Sequence, residues 1–179
     1  MTGDFSRPGG TSLTVTDDLI TANARYAASG LTHVRPQRPG RHLAVLTCMD
    51  ARIDTFSALG LDLGDANILR NAGGRAAPAL RSLAVCCGLL GVREIVVIHH
   101  TDCGLLDASN DEIRARLGRD IGPEAAEEAA GIDFLPFPDL DQSVRDDVSL
   151  IRSSALIADE ISVRGFVYYV ETGRLQEVL

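Results

Sequence analysis

At 179 residues, with 45% hydrophobic and 23% charged residues, the chain has the size and composition of one globular domain with its own core. A formal net charge of −8 argues against a basic face for nucleic-acid phosphates and makes an anionic membrane surface a poor partner. The N-terminal stretch 1–11 lacks the apolar core of a signal peptide, and the longest apolar run, 83–92, is too short and too glycine-rich to span a bilayer. A cytoplasmic location is the expectation, and there the four cysteines read as ligands or buried thiols rather than disulfides.

In chain order, 1–13 reads as a loose arm. Thr16 is a candidate helix cap, with Asp17 and Asp18 in the first turn, Leu19, Ile20, Ala24 and Ala27 on one apolar side, and Gly30 as the stop. A connector with prolines and glycine covers 33–41. The continuous apolar run of Leu43, Ala44, Val45 and Leu46 predicts a strand buried on both faces. A brief helix is expected over 50–59, and a second strand over 66–69. Pro78 fits the first turn of a helix running to about Leu90 and ended by Gly91.

Ile95, Val96, Val97 and Ile98 mark the clearest strand, over 94–99. Ser109 with Glu112 makes a capping box, and 123–130 reads as a short helix rich in Glu and Ala. Val144, Val148, Ile151 and Ala155 recur at helical spacing. A last buried strand is expected over 165–170, with an edge strand over 175–178. The fold class is therefore α/β: a mostly parallel central sheet of about four strands, helices on both faces, and an antiparallel C-terminal edge strand. A single domain spans 1–179.

In such sheets, sites gather beyond the carboxyl ends of the strands. Two chemistry-bearing stretches fall there, Cys48-Met49-Asp50-Ala51-Arg52 and His100-Thr101-Asp102-Cys103. Thiolate and neutral imidazole suit zinc better than magnesium or calcium, and three protein ligands would leave one tetrahedral position for water. Cys48 alone reads equally well as a small buried hydrophobe. Adjacent His99 and His100 point to opposite faces of a strand, so spacing to Cys103 selects His100, leaving His99 as a hydrogen-bonded core residue.

His33 and His42 belong to or beside the connector, and Cys86 and Cys87 read as buried helical thiols. Asp50 and Arg52 read either as a surface ion pair or as a bidentate pair beside the metal. Asp50 could also fill the fourth metal position. Arg70-Asn71-Ala72-Gly73-Gly74 matches neither nucleotide-binding motif and predicts a tight turn that lets backbone approach the pocket. Asp102 reads as exposed or as an acceptor without a catalytic role.

These motifs resemble the β-class carbonic anhydrases, which show Cys-x-Asp-x-Arg, then Arg-Asn-x-x-Gly, then His-x-x-Cys-Gly. The counterparts are Cys48 to Arg52, Arg70 to Gly74 and His100 to Gly104. The resemblance implies Zn2+ held by Cys48, His100 and Cys103, and a catalytic dyad of Asp50 and Arg52. It also implies an α/β fold, assembly as a homodimer or multiple of dimers, and reversible hydration of carbon dioxide to bicarbonate by metal-bound hydroxide. Activity is expected to rise toward alkaline pH, with Asp50 closing the site as a fourth ligand at lower pH. Ala51 stands where many members have serine, and aromatics are only 4%, so aromatic residues lining the pocket of longer members have no clear counterpart. The chain looks more like the compact bacterial and archaeal branch, which includes carbon disulfide hydrolases. Two other functions are therefore carried: hydrolysis of carbon disulfide or carbonyl sulfide by the same zinc hydroxide, and a non-catalytic zinc protein with a closed site.

Overall fold

The computed structural model describes residues 14–30 and 36–179. The arm 1–13 and His33 lie outside the described residues. The chain divides into two compact units, 1–35 and 36–179, each described by itself.

In the first unit, helix α1 covers Val15–Ala28. Its cap is Thr14, where the sequence suggested Thr16. The Thr14 backbone N–H donates to Asp17 Oδ2 at 2.8 Å, and the Asp17 N–H donates back to Thr14 Oγ1 at 3.3 Å. Asp17 sits three residues after Thr14, so this reciprocal box moves the start two residues upstream. Gly30, at φ 70°, follows the last turn.

The second unit is built on a sheet of β1 (Leu43–Cys48), β2 (Ala66–Asn71), β3 (Glu94–His100), β4 (Ser162–Tyr169) and β5 (Arg174–Glu177). The order is β2-β1-β3-β4-β5; the first four strands pair in parallel, and β5 runs antiparallel to β4. This is the mixed sheet anticipated from the sequence. β1 lies inside the sheet between β2 and β3, and Ala44, Val45 and Leu46 have no exposed surface, as a strand covered on both faces requires.

One face is closed by α3 (Ala76–Gly88) and α6 (Leu140–Arg152). Leu83 of α3 and Val144, Val148 and Ile151 of α6 meet Leu46, Val97 and Val167 in one fully buried cluster. Each such side chain contributes roughly 1.5–3 kcal/mol through burial. Ala155 is not part of that stripe: α6 ends at Arg152, and Ala155 is exposed in the loop after it. α6 approaches β4 closely because Gly165 has no side chain, and a Cβ there would lie 2.5 Å from Val144 Cγ1. On the other face, Val45 and Ile98 are covered by Leu59 and Leu61, from helix α2 (Thr55–Leu59) and the residue pair after it.

The expected helix over 50–59 starts late. Asp50 folds back on itself: its Oδ1 accepts the Arg52 N–H at 2.8 Å and its carbonyl accepts the Ile53 N–H at 3.1 Å. That turn competes with a helix, so α2 begins only where Asp54 caps the Ser57 N–H at 3.2 Å. Ser109 and Glu112 form their capping box at the start of α4 (Asn110–Asp120), and α5 covers Pro123–Ala130. Among the described residues, no helix is long and apolar enough to cross a membrane.

Candidate metal centre

Cys48 is the last residue of β1 and His100 the last of β3. These strands are direct neighbours, with Thr47 opposite Ile98, so both residues emerge at the same carboxyl edge. The chain then turns sharply through Asp102, at φ 53°, and returns Cys103 beneath His100. One ligand atom from each of Cys48, His100 and Cys103 lies within 4.8 Å of the others, and all three residues are buried.

The chemistry of this triangle suits a cation. His100 Nδ1 lies 2.8 Å from the Thr101 carbonyl oxygen. A carbonyl only accepts, so Nδ1 carries the proton and Nε2 presents a lone pair. Nε2 is buried without a hydrogen-bond partner among the described residues, which is costly unless something electrophilic meets it. The Cys48 thiol is pulled down to about 4, foremost by a hydrogen bond from Cys103, with backbone N–H groups adding to it against burial. Cys103 is pushed up by Cys48 and by burial. The two sulfurs thus differ in how readily each gives up its proton, and both must give it up to bind a metal.

Asp50 and Arg52 form the bidentate pair. Arg52 Nε donates to Asp50 Oδ1 at 3.0 Å and Nη2 to Oδ2 at 2.7 Å. The guanidinium holds the Asp50 carboxyl well below the usual carboxylate range. Asp50 Oδ2 lies 3.9 Å from His100 Nε2, beside the triangle but turned to Arg52. The rest of the Arg52 fork reaches Asp102, at 2.7 Å to its carboxylate and 2.9 Å to its carbonyl. Arg52 therefore joins the loop after β1 to the loop after β3, and Asp102 is the acceptor anticipated from sequence.

The turn at 70–74 approaches the centre through backbone. Ala72–Gly74 forms one 3₁₀ turn. A Cβ on Gly74 would lie 2.9 Å from Thr47 C and 3.1 Å from Ile98 O, with φ at 70°, so only glycine fits between β1 and β3. Sequence reasoning missed what Arg70 does. Its guanidinium donates to the carbonyls of Cys48, Asp50 and Ile53, stapling the loop that carries Asp50. Its position in the Arg-Asn-x-x-Gly motif was the one available signal.

The residues given structural readings stay apart from the triangle. His99 is fully buried, its Nδ1 2.7 Å from Ser143 Oγ. His42 lies beside the Gly91 carbonyl at 2.8 Å. Cys86 is buried but Cys87 only half-buried, and burial raises both thiols. A cleft of about 290 Å³ opens over the centre, walled by Met49, Ala72, Gly73, Gly104 and Leu105 around Cys48, Asp50 and Cys103. Its size suits a very small molecule.

The sequence profile of the carbonic anhydrase family matches residues 43–129. The chain is similar to beta-carbonic anhydrase 1 of Mycobacterium tuberculosis, 38% identical over 93% of this chain and 99% of that protein. It is similar to a carbon disulfide hydrolase of Acidithiobacillus thiooxidans, 36% identical over 76% of each. Among solved structures, a carbonic anhydrase from Streptococcus mutans superposes with a TM-score of 0.85 at 44% identity, covering 93% of this chain and 99% of that one.

Proposed function

Because the chain belongs to the β-carbonic anhydrase family, we propose that it hydrates carbon dioxide reversibly to bicarbonate, with zinc held by Cys48, His100 and Cys103. The observation that carries this reading is the convergence of those three ligand atoms within 4.8 Å at the floor of a small cleft. Zinc held there supplies a Lewis acid that brings the ionisation of water down to about pH 7.

The chain's own residues do the positioning. Asp50, kept ionised by Arg52, can only accept; it takes a hydrogen bond from the attacking oxygen and turns that oxygen's lone pair toward the carbon of carbon dioxide. Arg52 fixes both Asp50 oxygens and the 100–103 loop, so the acceptor does not wander. Ala72, Gly73 and Leu105 offer walls that admit an uncharged linear molecule. The proton released with bicarbonate passes to buffer. Two cysteine thiolates offset more of the ion's charge than neutral imidazoles would, which moves the activity toward alkaline pH. Stopped-flow carbon dioxide hydration with a pH indicator tests this: a rate that rises with pH supports it, and zinc-loaded protein inert even at high pH sinks it.

A second reading, hydrolysis of carbon disulfide or carbonyl sulfide at the same centre, is favoured by the similarity to carbon disulfide hydrolases. Hydrogen sulfide release from carbon disulfide discriminates the two. A permanently closed, non-catalytic site is disfavoured by Asp50, whose two oxygens are both engaged by Arg52. Four free cysteines support a reducing, cytoplasmic setting. The edge of β2, which among the described residues pairs only with β1, and the exposed Val85 and Leu89 at the end of α3 support assembly with a second copy, as a dimer or a multiple of dimers.

A further inference from the structure

Helix α6 carries a buried polar centre that the proposed reaction does not use. Asp147 is 2% exposed, and a carboxylate taken out of water costs several kcal/mol unless charged and hydrogen-bonding partners surround it. Its partners are few. Arg75 meets it through Nε at 3.0 Å and Nη2 at 3.1 Å, the Ala76 backbone N–H donates to it at 3.0 Å, and His99 Nε2 lies at 3.2 Å.

Every one of them comes from the two segments that frame the candidate metal centre. Arg75 and Ala76 close the turn in which Gly74 is wedged against the backbone of Thr47, Cys48 and Ile98. Asn71 completes that turn, its side chain bonded at both ends to the Arg75 backbone. His99 immediately precedes His100, and its ring is held on three sides: by Asp147, by Ser143 one turn earlier on α6, and by Phe137, stacked at 5.5 Å. A pair serving stability alone needs no such choice of partners, since apolar residues of similar volume often do as well.

We propose that Asp147 is a positioning residue for the metal ligands: one carboxylate on α6 locks the Asn71-to-Ala76 turn to the end of β3, and so fixes the Gly74 wedge against the Cys48 backbone and sets His100 beside it. The proposal rests on the reading of Cys48, His100 and Cys103 as zinc ligands. Outer partners of this kind are worth roughly ten- to a hundredfold in metal affinity elsewhere.

The test compares wild type, Asp147→Asn, Arg75→Gln and a packing control from the same helix, Val148→Ala. Each is prepared metal-free, titrated with zinc against a competing chelator, and loaded with Co(II) to record the thiolate-to-cobalt absorption band. Asp147→Asn should bind zinc about ten- to a hundredfold more weakly with an altered band, and Arg75→Gln should shift both in the same direction. Val148→Ala should melt earlier yet keep wild-type zinc affinity and spectrum. If Asp147→Asn melts earlier but keeps both, Asp147 is a structural ion partner and the proposal is overturned. Should that variant fail to fold, Arg75→Gln decides: wild-type affinity and band in it overturn the proposal equally. Failure of the underlying reading looks different, because wild type itself would then show no thiolate-to-cobalt band.

Discussion

At the scale of single residues, the chemistry divides between atoms that could hold an ion and atoms that aim at what the ion activates. In the proposed mechanism Asp50 belongs to the second group, and its geometry depends on Arg52, whose fork holds Asp50 and Asp102 together. Arg52→Ala should therefore lower kcat/KM by about 10²-fold or more, the usual worth of a positioned proton acceptor, while zinc content by metal analysis stays at the wild-type level. Equal rates in the two proteins would remove the dyad from the mechanism. The ligand candidates were legible in the sequence because zinc chemistry restricts residue type and because Cys48 and His100 each end an apolar strand. Arg70 and Asp147 were not. Arg70 acts on main-chain carbonyls, which leave no mark in a sequence, and Asp147 looks like any polar position on an amphipathic helix until α6 is docked.

Among the elements, the turn after β2 matters most, since it enters the site through backbone alone. Gly74 sits at φ 70°, with Thr47, Cys48 and Ile98 within 3.1 Å of where a Cβ would be. Gly74→Ala combines a left-handed backbone penalty of about 1–3 kcal/mol with overpacking of similar size. The variant should melt well below wild type and lose activity even when fully loaded with zinc, because the Cys48 end of β1 is pushed. A variant that keeps both melting temperature and rate contradicts the wedge. The strands themselves were readable, since a run such as 43–46 has few other uses. The start of α2 was not: the sequence over 50–53 permits a helix, and only the Asp50 contact with the Arg52 backbone selects a turn.

For the molecule as a whole, the site and the main core are separate assemblies. Cys48 and Cys103 cluster with Ile53 and Phe137, whereas Leu46, Leu83, Val97, Val144 and Ile151 form the larger core beneath α3 and α6. The sheet therefore does not depend on the ion as a zinc finger does. Removing the metal with a chelator should abolish carbon dioxide hydration and lower the melting temperature, yet leave the far-UV circular dichroism spectrum of a folded α/β protein. Loss of that spectrum would show that the metal organises the fold as well as the chemistry. The architecture could be anticipated from alternating apolar strands and helices. The β2 edge and the exposed end of α3 could not, because their exposure is decided by tertiary placement.

Zinc X-ray absorption on the purified, zinc-loaded protein reads the proposed two-cysteine, one-histidine ligation itself. One ion is expected, with two sulfur neighbours at about 2.3 Å and nitrogen or oxygen neighbours at about 2.0–2.1 Å, the sulfur signal halving in Cys48→Ser. A shell without sulfur, or one unchanged by that substitution, would contradict it.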